Sequence, residues 1–257
     1  APQQQAAAVS SHEVSADLPN AKNATVASDV PQANIAQSQT TDATAPVNQQ
    51  LISVQTDLYH IWINPKGGDI VRIELLSHDK SKDSDQPFVM LENDAKRTYV
   101  AQSGLIGLNG PDSSRGGRPL YAVEKTSYTL ADAKGVQDQK GQSEKVLNVP
   151  MVFKTPEGVE IIKTFTFTQG QYPIVVKHQV INRSQQSWQG QMFGQLKRDN
   201  SEDPGKSSQG IFTLGTFLGG AWGTPDAHYN KLKFANFSEE KVNTEAKGGW
   251  VAIVQHY

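Results

Sequence analysis

The fold of this chain is decided by the stretch from Leu51 to Asn64, which reads LISVQTDLYHIWIN. Its β-branched and aromatic residues alternate with polar ones at a period of two, the pattern of a strand with one buried face. No later segment long enough for a stable helix shows a convincing 3.6-residue apolar period. We therefore expect a mainly β fold from Leu51 onward.

The chain before this stretch has a different composition. Residues 1–50 contain no Phe, Tyr or Trp, and their apolar residues are mostly Ala scattered among Gln, Ser, Thr, Asn and Pro. Such a segment cannot bury enough apolar surface to offset the entropy lost on ordering. The composition predicts a disordered polar tether over residues 1–50, followed by one domain over residues 51–257.

Turn residues separate further candidate strands. Pro156-Glu157-Gly158 lies between the alternating runs Val146–Lys154 and Val159–Thr168, where Pro fixes φ and Gly accepts a positive φ. Strands of about ten residues favour a large sandwich of extended sheets. Thr224-Pro225-Asp226 is expected to cap one short helical turn.

Composition and charge exclude several classes of site. The formal net charge is −2 and the Lys and Arg residues are dispersed, which argues against a nucleic-acid partner. The chain has no cysteine, which excludes disulfides, thiolate catalysis and Cys-based metal sites. The 6 histidines are widely separated and match no zinc signature, so we predict no metal site and no cofactor. No apolar run is long enough to span a membrane.

Eight short stretches along the chain stand in a characteristic order and spacing. They are Leu51–Val54 with Thr56-Asp57, Gly67–Asp69, Ala101–Leu105, Gly110–Asp112, Arg118–Tyr121, Phe193–Lys197, Thr224–Asp226 and Lys247–Ala252. Together they resemble the large periplasmic domain of the bacterial YidC-type membrane protein insertases, the inner-membrane relatives of the mitochondrial and chloroplast Oxa and Alb proteins. The resemblance is nearly collinear from Leu51 to the end of the chain.

The resemblance implies a fold and a location. The fold is a large antiparallel β-supersandwich similar to the galactose mutarotase-like fold, facing the periplasm from the bacterial inner membrane. Family members place a transmembrane helix before the tether and the inserting transmembrane bundle after the domain, and this chain contains neither. The final strand pattern, Gly248–Tyr257, has no polar tail, so we expect the domain to be truncated at its C-terminal end. The insertase residues of the family lie in the bundle, so none is transferred to this sequence.

The function that the resemblance implies is non-catalytic. The domain is expected to aid the insertion and folding of nascent membrane proteins by docking to Sec translocon subunits. Its candidate contact surface is the glycine-laced apolar run that ends at Trp222, and the contact residues in that run are Leu214, Phe217, Leu218 and Trp222. Trp62 and Trp250 lie within strand patterns and are expected to be buried.

The likeness to sugar mutarotases supplies a rival hypothesis. On this alternative the domain is a carbohydrate-binding module or an aldose epimerase, with a glycan or another ligand in its cleft. An epimerase needs a general acid and a general base that converge on one sugar ring. His178 is the nearest candidate, and its spacing identifies no carboxylate partner.

Overall fold

The computed structural model describes residues 50–81, 84–114, 117–137, 140–201 and 217–255. The predicted tether lies outside these residues except for Gln50. Fourteen strands are found in them: β1 (Ile52–Gln55), β2 (Tyr59–Asn64), β3 (Asp69–Asp79), β4 (Pro87–Asn93), β5 (Thr98–Ile106), β6 (Ser127–Thr129), β7 (Lys134–Gln137), β8 (Ser143–Lys154), β9 (Val159–Thr168), β10 (Ile174–Asn182), β11 (Gln191–Arg198), β12 (Gly219–Gly223), β13 (Asn230–Lys233) and β14 (Trp250–Val254).

Helix is confined to three short 3-10 turns in this part of the chain. They are Pro111–Ser113, Leu130–Asp132 and Phe234–Asn236. None of the described helices is long and apolar enough to cross a membrane. The prediction of a mainly β fold is confirmed.

The strands form three sheets. The seven-stranded sheet has the order β11-β5-β4-β3-β2-β1-β6, the four-stranded sheet has the order β10-β9-β8-β7, and the small sheet has the order β13-β12-β14. Neighbouring strands are antiparallel, as predicted, with one exception: β1 pairs in parallel with β6. Strands β8 and β9 are 12 and 10 residues long, which matches the expected long strands.

One apolar core lies between the two larger sheets. Each sheet contributes alternate residues of its strands, such as Tyr59, Ile61 and Ile63 from β2 and Phe165 and Phe167 from β9. Burying each of these side chains contributes roughly 1.5–3 kcal/mol. The buried apolar side chains of this alternating pattern therefore stabilise the sandwich.

The opening stretch folds as two strands joined by a tight turn. The Thr56 side-chain oxygen accepts hydrogen bonds from the backbone N–H groups of Leu58 and Tyr59, both at 3.2 Å. This turn lets β1 and β2 pair as a hairpin, with Ile52 opposite Ile63. The stretch that predicts the fold is thus itself the first hairpin of the seven-stranded sheet.

The two predicted turns differ in outcome. Gly158 has a φ of +96° between β8 and β9, so the predicted hairpin is confirmed. The predicted helical turn at Thr224 is wrong. There the backbone N–H of Ala227 donates to the Thr224 side chain at 3.0 Å, and Thr224 N–H donates to the carbonyl of Ala227 at 2.9 Å, which closes a loop instead of a helix.

Candidate functional site

A lysine lies where the strand pattern predicts an apolar residue. Lys163 is on the inward face of β9 between Ile161 and Phe165, and it has no exposed surface. Its ammonium nitrogen donates to three backbone carbonyls, those of Gly67 at 2.9 Å, Gly68 at 2.7 Å and Ser103 at 2.8 Å. Three N–H groups therefore meet three acceptors, as a buried ammonium group requires.

Arg118 reaches the same carbonyls. Its Nη2 donates to the carbonyls of Gly67 at 3.1 Å and Ser103 at 2.8 Å. Its Nη1 donates to Asp69 at 2.7 Å and its Nε donates to Asp112 at 2.8 Å. Arg118 therefore joins two carboxylates to the carbonyl groups that hold the lysine.

Asp112 is fully buried and fixed from two sides. One oxygen accepts from Arg118, and the other accepts from the backbone N–H of Leu105 at 2.8 Å. Asp112 lies so close to β5 that position 104 must be glycine, because a Cβ there would lie 2.3 Å from the Asp112 Oδ2. We call Asp69, Asp112, Arg118 and Lys163 the charged cluster.

Burial controls the ionisation of the charged cluster. It lowers the pKa of Lys163 to about 7, although the nearby Asp69 opposes this change. It raises the pKa values of Asp69 and Asp112, and Arg118 opposes the change in both. Two acids and two bases compensate one another here, as a dry interior demands.

Beside the charged cluster is a small polar cavity of about 180 Å³. It lies on the face of the seven-stranded sheet that points away from the core, because Val100 and Gln102 alternate along β5 with the core-facing Tyr99 and Ala101. Its lining residues are Asn64, Lys66, Asp69, Val71, Asn93, Val100, Gln102 and Arg118. We call it the outer cavity.

His178, the candidate for epimerase chemistry, lies on the other sheet. It is directly opposite Lys163 in the pairing of β10 with β9. Both ring nitrogens are buried and have no hydrogen-bond partner among the described residues. Burial, with Lys163 and Arg118 nearby, lowers the pKa of His178 to about 4. The ring is therefore neutral at physiological pH, and the described residues provide it with no carboxylate partner for acid–base work.

The candidate docking residues fall at the small sheet. Leu214 lies outside the described residues. Phe217, Leu218 and Trp222 are all half-buried, and the Lys231 Nζ lies 5.2 Å from the centre of the Phe217 ring. Trp222 lies in β12 opposite Asn230 and Val251.

The more exposed apolar side chains of the small sheet were not predicted. Val251, Tyr229 and Trp250 are 81%, 61% and 45% exposed. They lie at one end of the sheet, where the rings of Tyr229 and Trp250 are 6.1 Å apart. The expectation that Trp250 is buried is therefore wrong, because its strand belongs to the small sheet and Trp250 does not pack against the core. Trp62 is half-buried on the outer face of β2. We call Tyr229, Trp250 and Val251 the small-sheet surface.

The charged cluster was also not predicted, although the sequence carries two signals for it. Lys163 interrupts a run in which Val159, Ile161, Phe165 and Phe167 are all apolar. In addition, four of the stretches that resemble the insertase family converge on the charged cluster: Gly67–Asp69, Ala101–Leu105, Gly110–Asp112 and Arg118–Tyr121.

No group of three or more His, Asp or Glu side chains that could hold a metal ion is found in the part of the chain that the structure describes. None of the residues that line the outer cavity is aromatic, whereas a sugar-binding cleft uses aromatic rings for stacking. The residues there provide amide, ammonium and carboxylate groups instead.

Comparison with known proteins gives consistent matches. A family model described as "YidC periplasmic domain" matches residues 51–257. A relative from Alcanivorax borkumensis, "Membrane protein insertase YidC", is 42% identical over 256 residues, which cover 96% of this chain and 42% of the relative. Relatives of the same name from Marinomonas sp. and Pseudomonas fluorescens are each 40% identical, over 91% and 94% of this chain and 41% of either relative. The chain thus spans about two-fifths of the length of the curated relatives it matches.

Proposed function

Because the chain belongs to the YidC periplasmic domain family, we propose that it forms the non-catalytic periplasmic part of a membrane protein insertase. The chain accordingly lies on the periplasmic side of the bacterial inner membrane. The observation that carries the proposal is the extent of the family match, which includes every strand of all three sheets. In the whole protein, the clients are nascent membrane proteins that the insertase helps to insert and fold.

The proposed organisation has two parts. Residues 51–257 form the periplasmic domain, and residues 1–50 form a flexible polar tether. A random coil of that length has an r.m.s. reach of roughly 40 Å. The domain is thereby held near the membrane without a fixed orientation.

A non-catalytic role agrees with how the charged cluster is bonded. The three N–H groups of Lys163 are directed at three carbonyls, and the Arg118 guanidinium bridges two carboxylates. Catalytic groups need an ionisable atom that can reach a substrate. The charged cluster instead joins the β2–β3 turn to β5 and β9, which is a structural task.

Docking to Sec translocon subunits is the specific role we propose for the small sheet. Its support is the small-sheet surface, where Val251 is exposed directly opposite the half-buried Trp222, and Tyr229 and Trp250 are exposed next to each other at the end of the sheet. Exposed aromatic side chains are typical anchors of protein interfaces. The docking surface then consists of Leu214, Phe217, Leu218 and Trp222 together with the small-sheet surface.

Site-specific photo-crosslinking in the full-length insertase tests this role. We expect Val251→Glu to reduce crosslinks to Sec translocon subunits at least fivefold, because it places a charge in the apolar contact. Leu218→Glu and Trp222→Glu should act in the same direction. The matched control is Val175→Glu, since Val175 is also an exposed strand valine and lies on the four-stranded sheet. Unchanged crosslinking in Val251→Glu, with insertion intact, would contradict the docking role.

A further inference from the structure

The outer cavity is lined by both apolar and polar side chains. Val71 and Val100 provide its apolar surface, and the other lining residues carry amide or charged groups. Its volume of about 180 Å³ is large enough for several water molecules. A cavity of this size accepts a small polar group rather than a polymer.

The amide groups of the cavity retain unused donors. The Asn64 Oδ1 accepts from the backbone N–H of Lys66 at 2.9 Å, and the Asn93 Oδ1 accepts from the Thr98 hydroxyl at 3.3 Å. The NH₂ groups of Asn64 and Asn93 have no partner within the described ranges. Gln102 differs, because its NH₂ donates to Asp69 and its oxygen accepts from Gln195.

Lys66 adds a charge to these donors. Its side chain is exposed, and it forms no ion pair with any described residue. It is placed at the cavity by its backbone, because Lys66 pairs with Leu120 in an isolated bridge and follows the Asn64 turn directly. The residues that line the cavity therefore include one exposed lysine and two asparagines whose NH₂ groups have no partner among the described residues.

The one carboxylate of the cavity does not offset these donors. The Asp69 Oδ2 is already bonded to Arg118 and Gln102, at 2.7 and 2.9 Å. Its Oδ1 is buried and has no partner in the described part of the chain. Asp69 lines the cavity, and Arg118 compensates its negative charge through the bond to Oδ2.

We propose that the outer cavity binds a small oxyanion, the carboxylate or phosphate group of a small molecule. Lys66 supplies the charge, and the amide groups of Asn64 and Asn93 supply directed hydrogen bonds. Hydrogen bonds between charged donors and oxyanions are shorter and roughly twice as strong as neutral ones. The remaining volume admits a short substituent on the oxyanion, lying against Val71 and Val100.

The test is a ¹H–¹⁵N NMR titration of the full 257-residue chain at constant ionic strength. The probes are inorganic phosphate, acetate, sn-glycerol 3-phosphate, glucose and chloride. We expect phosphate or acetate to shift the side-chain NH₂ signals of Asn64 and Asn93, while chloride and glucose do not. Tighter binding of sn-glycerol 3-phosphate than of inorganic phosphate would assign the ligand to an organic phosphate such as a lipid headgroup. The reverse order would assign it to a free anion.

Two variants decide whether the cavity is responsible. Lys66→Gln should weaken phosphate binding about tenfold, and Asn93→Asp should abolish it by placing a second carboxylate against the anion. The matched control is Lys177→Gln, an exposed lysine of β10 on the other sheet, which should bind as the wild type does. Thermal unfolding confirms that each variant is folded. The proposal is overturned if phosphate and acetate shift no signal at the cavity, if Lys66→Gln and Lys177→Gln bind equally well, or if glucose shifts the same signals.

Discussion

The sandwich and the small sheet place their charged and apolar groups in opposite ways. The sandwich buries charged groups in its interior, where Lys163 and Arg118 bond to the same carbonyls, those of Gly67 and Ser103. The small sheet leaves aromatic and aliphatic groups in solvent at its far end. Buried charge restricts a structure to one arrangement, because each charge needs every one of its partners. Exposed apolar surface marks a place for contact with another molecule.

The largest effect that separates the two regions should come from Lys163→Met. This change leaves three buried carbonyls without a donor and two carboxylates with one cation, so we expect it to reduce the free energy of unfolding by about 3–5 kcal/mol. Urea denaturation measures the loss. Lys177→Met on the neighbouring strand and Val251→Glu on the small-sheet surface should each change stability by less than about 0.5 kcal/mol. A Lys163→Met chain as stable as the wild type would show that the charged cluster does not hold the sandwich.

A somewhat smaller effect is expected from Gly104→Ala. The added Cβ would lie 2.3 Å from the Asp112 Oδ2 and would displace this carboxylate from Arg118. We expect a loss of about 2–3 kcal/mol in the same denaturation assay, as for other overpacked cores.

Gly194→Ala is the matched control for that change. Gly194 lies on the adjacent strand β11, opposite Ser103, and a Cβ there would meet no atom within 4 Å. Its substitution should leave stability almost unchanged. A loss in Gly104→Ala as small as that in Gly194→Ala would mean that β5 tolerates a shift of Asp112, and that the charged cluster is looser than its distances indicate.

The smallest effect is a dependence of stability on pH. Burial lowers the pKa of Lys163 to about 7 in the folded chain, whereas an exposed lysine has a pKa of about 10.4. Between these values the unfolded chain binds more protons than the folded chain, so stability increases with pH. We expect the free energy of unfolding to rise by about 2 kcal/mol from pH 7 to pH 9.

Urea denaturation at the two pH values measures this rise. The Lys177→Met control should show the wild-type rise, because Lys177 is exposed. A flat profile in the wild type would show that the three carbonyls keep Lys163 charged against the effect of burial.

Local patterns in the sequence were sufficient to predict several of the strands and the clearest hairpin. Alternation identified β2, β8 and β9, and the Pro-Glu-Gly turn identified the link between β8 and β9, because each of these features depends on neighbouring residues alone. The same reasoning placed Trp250 in the core. Alternation predicts that one face of a strand is covered, but it does not say how far the covering sheet extends.

Local patterns mark Lys163 as an exception in its strand, but they could not predict the partners that form the charged cluster. Lys163 bonds to carbonyls 95 and 96 positions earlier in the chain, and Arg118 bonds to Asp69 across 49 positions. Backbone carbonyls carry no side-chain signature, so nothing in the sequence marks Gly67 or Ser103 as an acceptor. The outer cavity depends on the same contacts, since Asp69 and Arg118 form one of its walls.

The pairing of β11 with β5 has a consequence for the order in which the domain folds. Gln195 bonds to Gln102 across 93 positions, so one edge of β5 lacks its neighbour until the later segment has been synthesised. At about 5–20 residues per second, that interval lasts about 5–20 s. Throughout it, an unpaired edge can accept any extended segment nearby. The domain thus passes through a vulnerable period during its own synthesis.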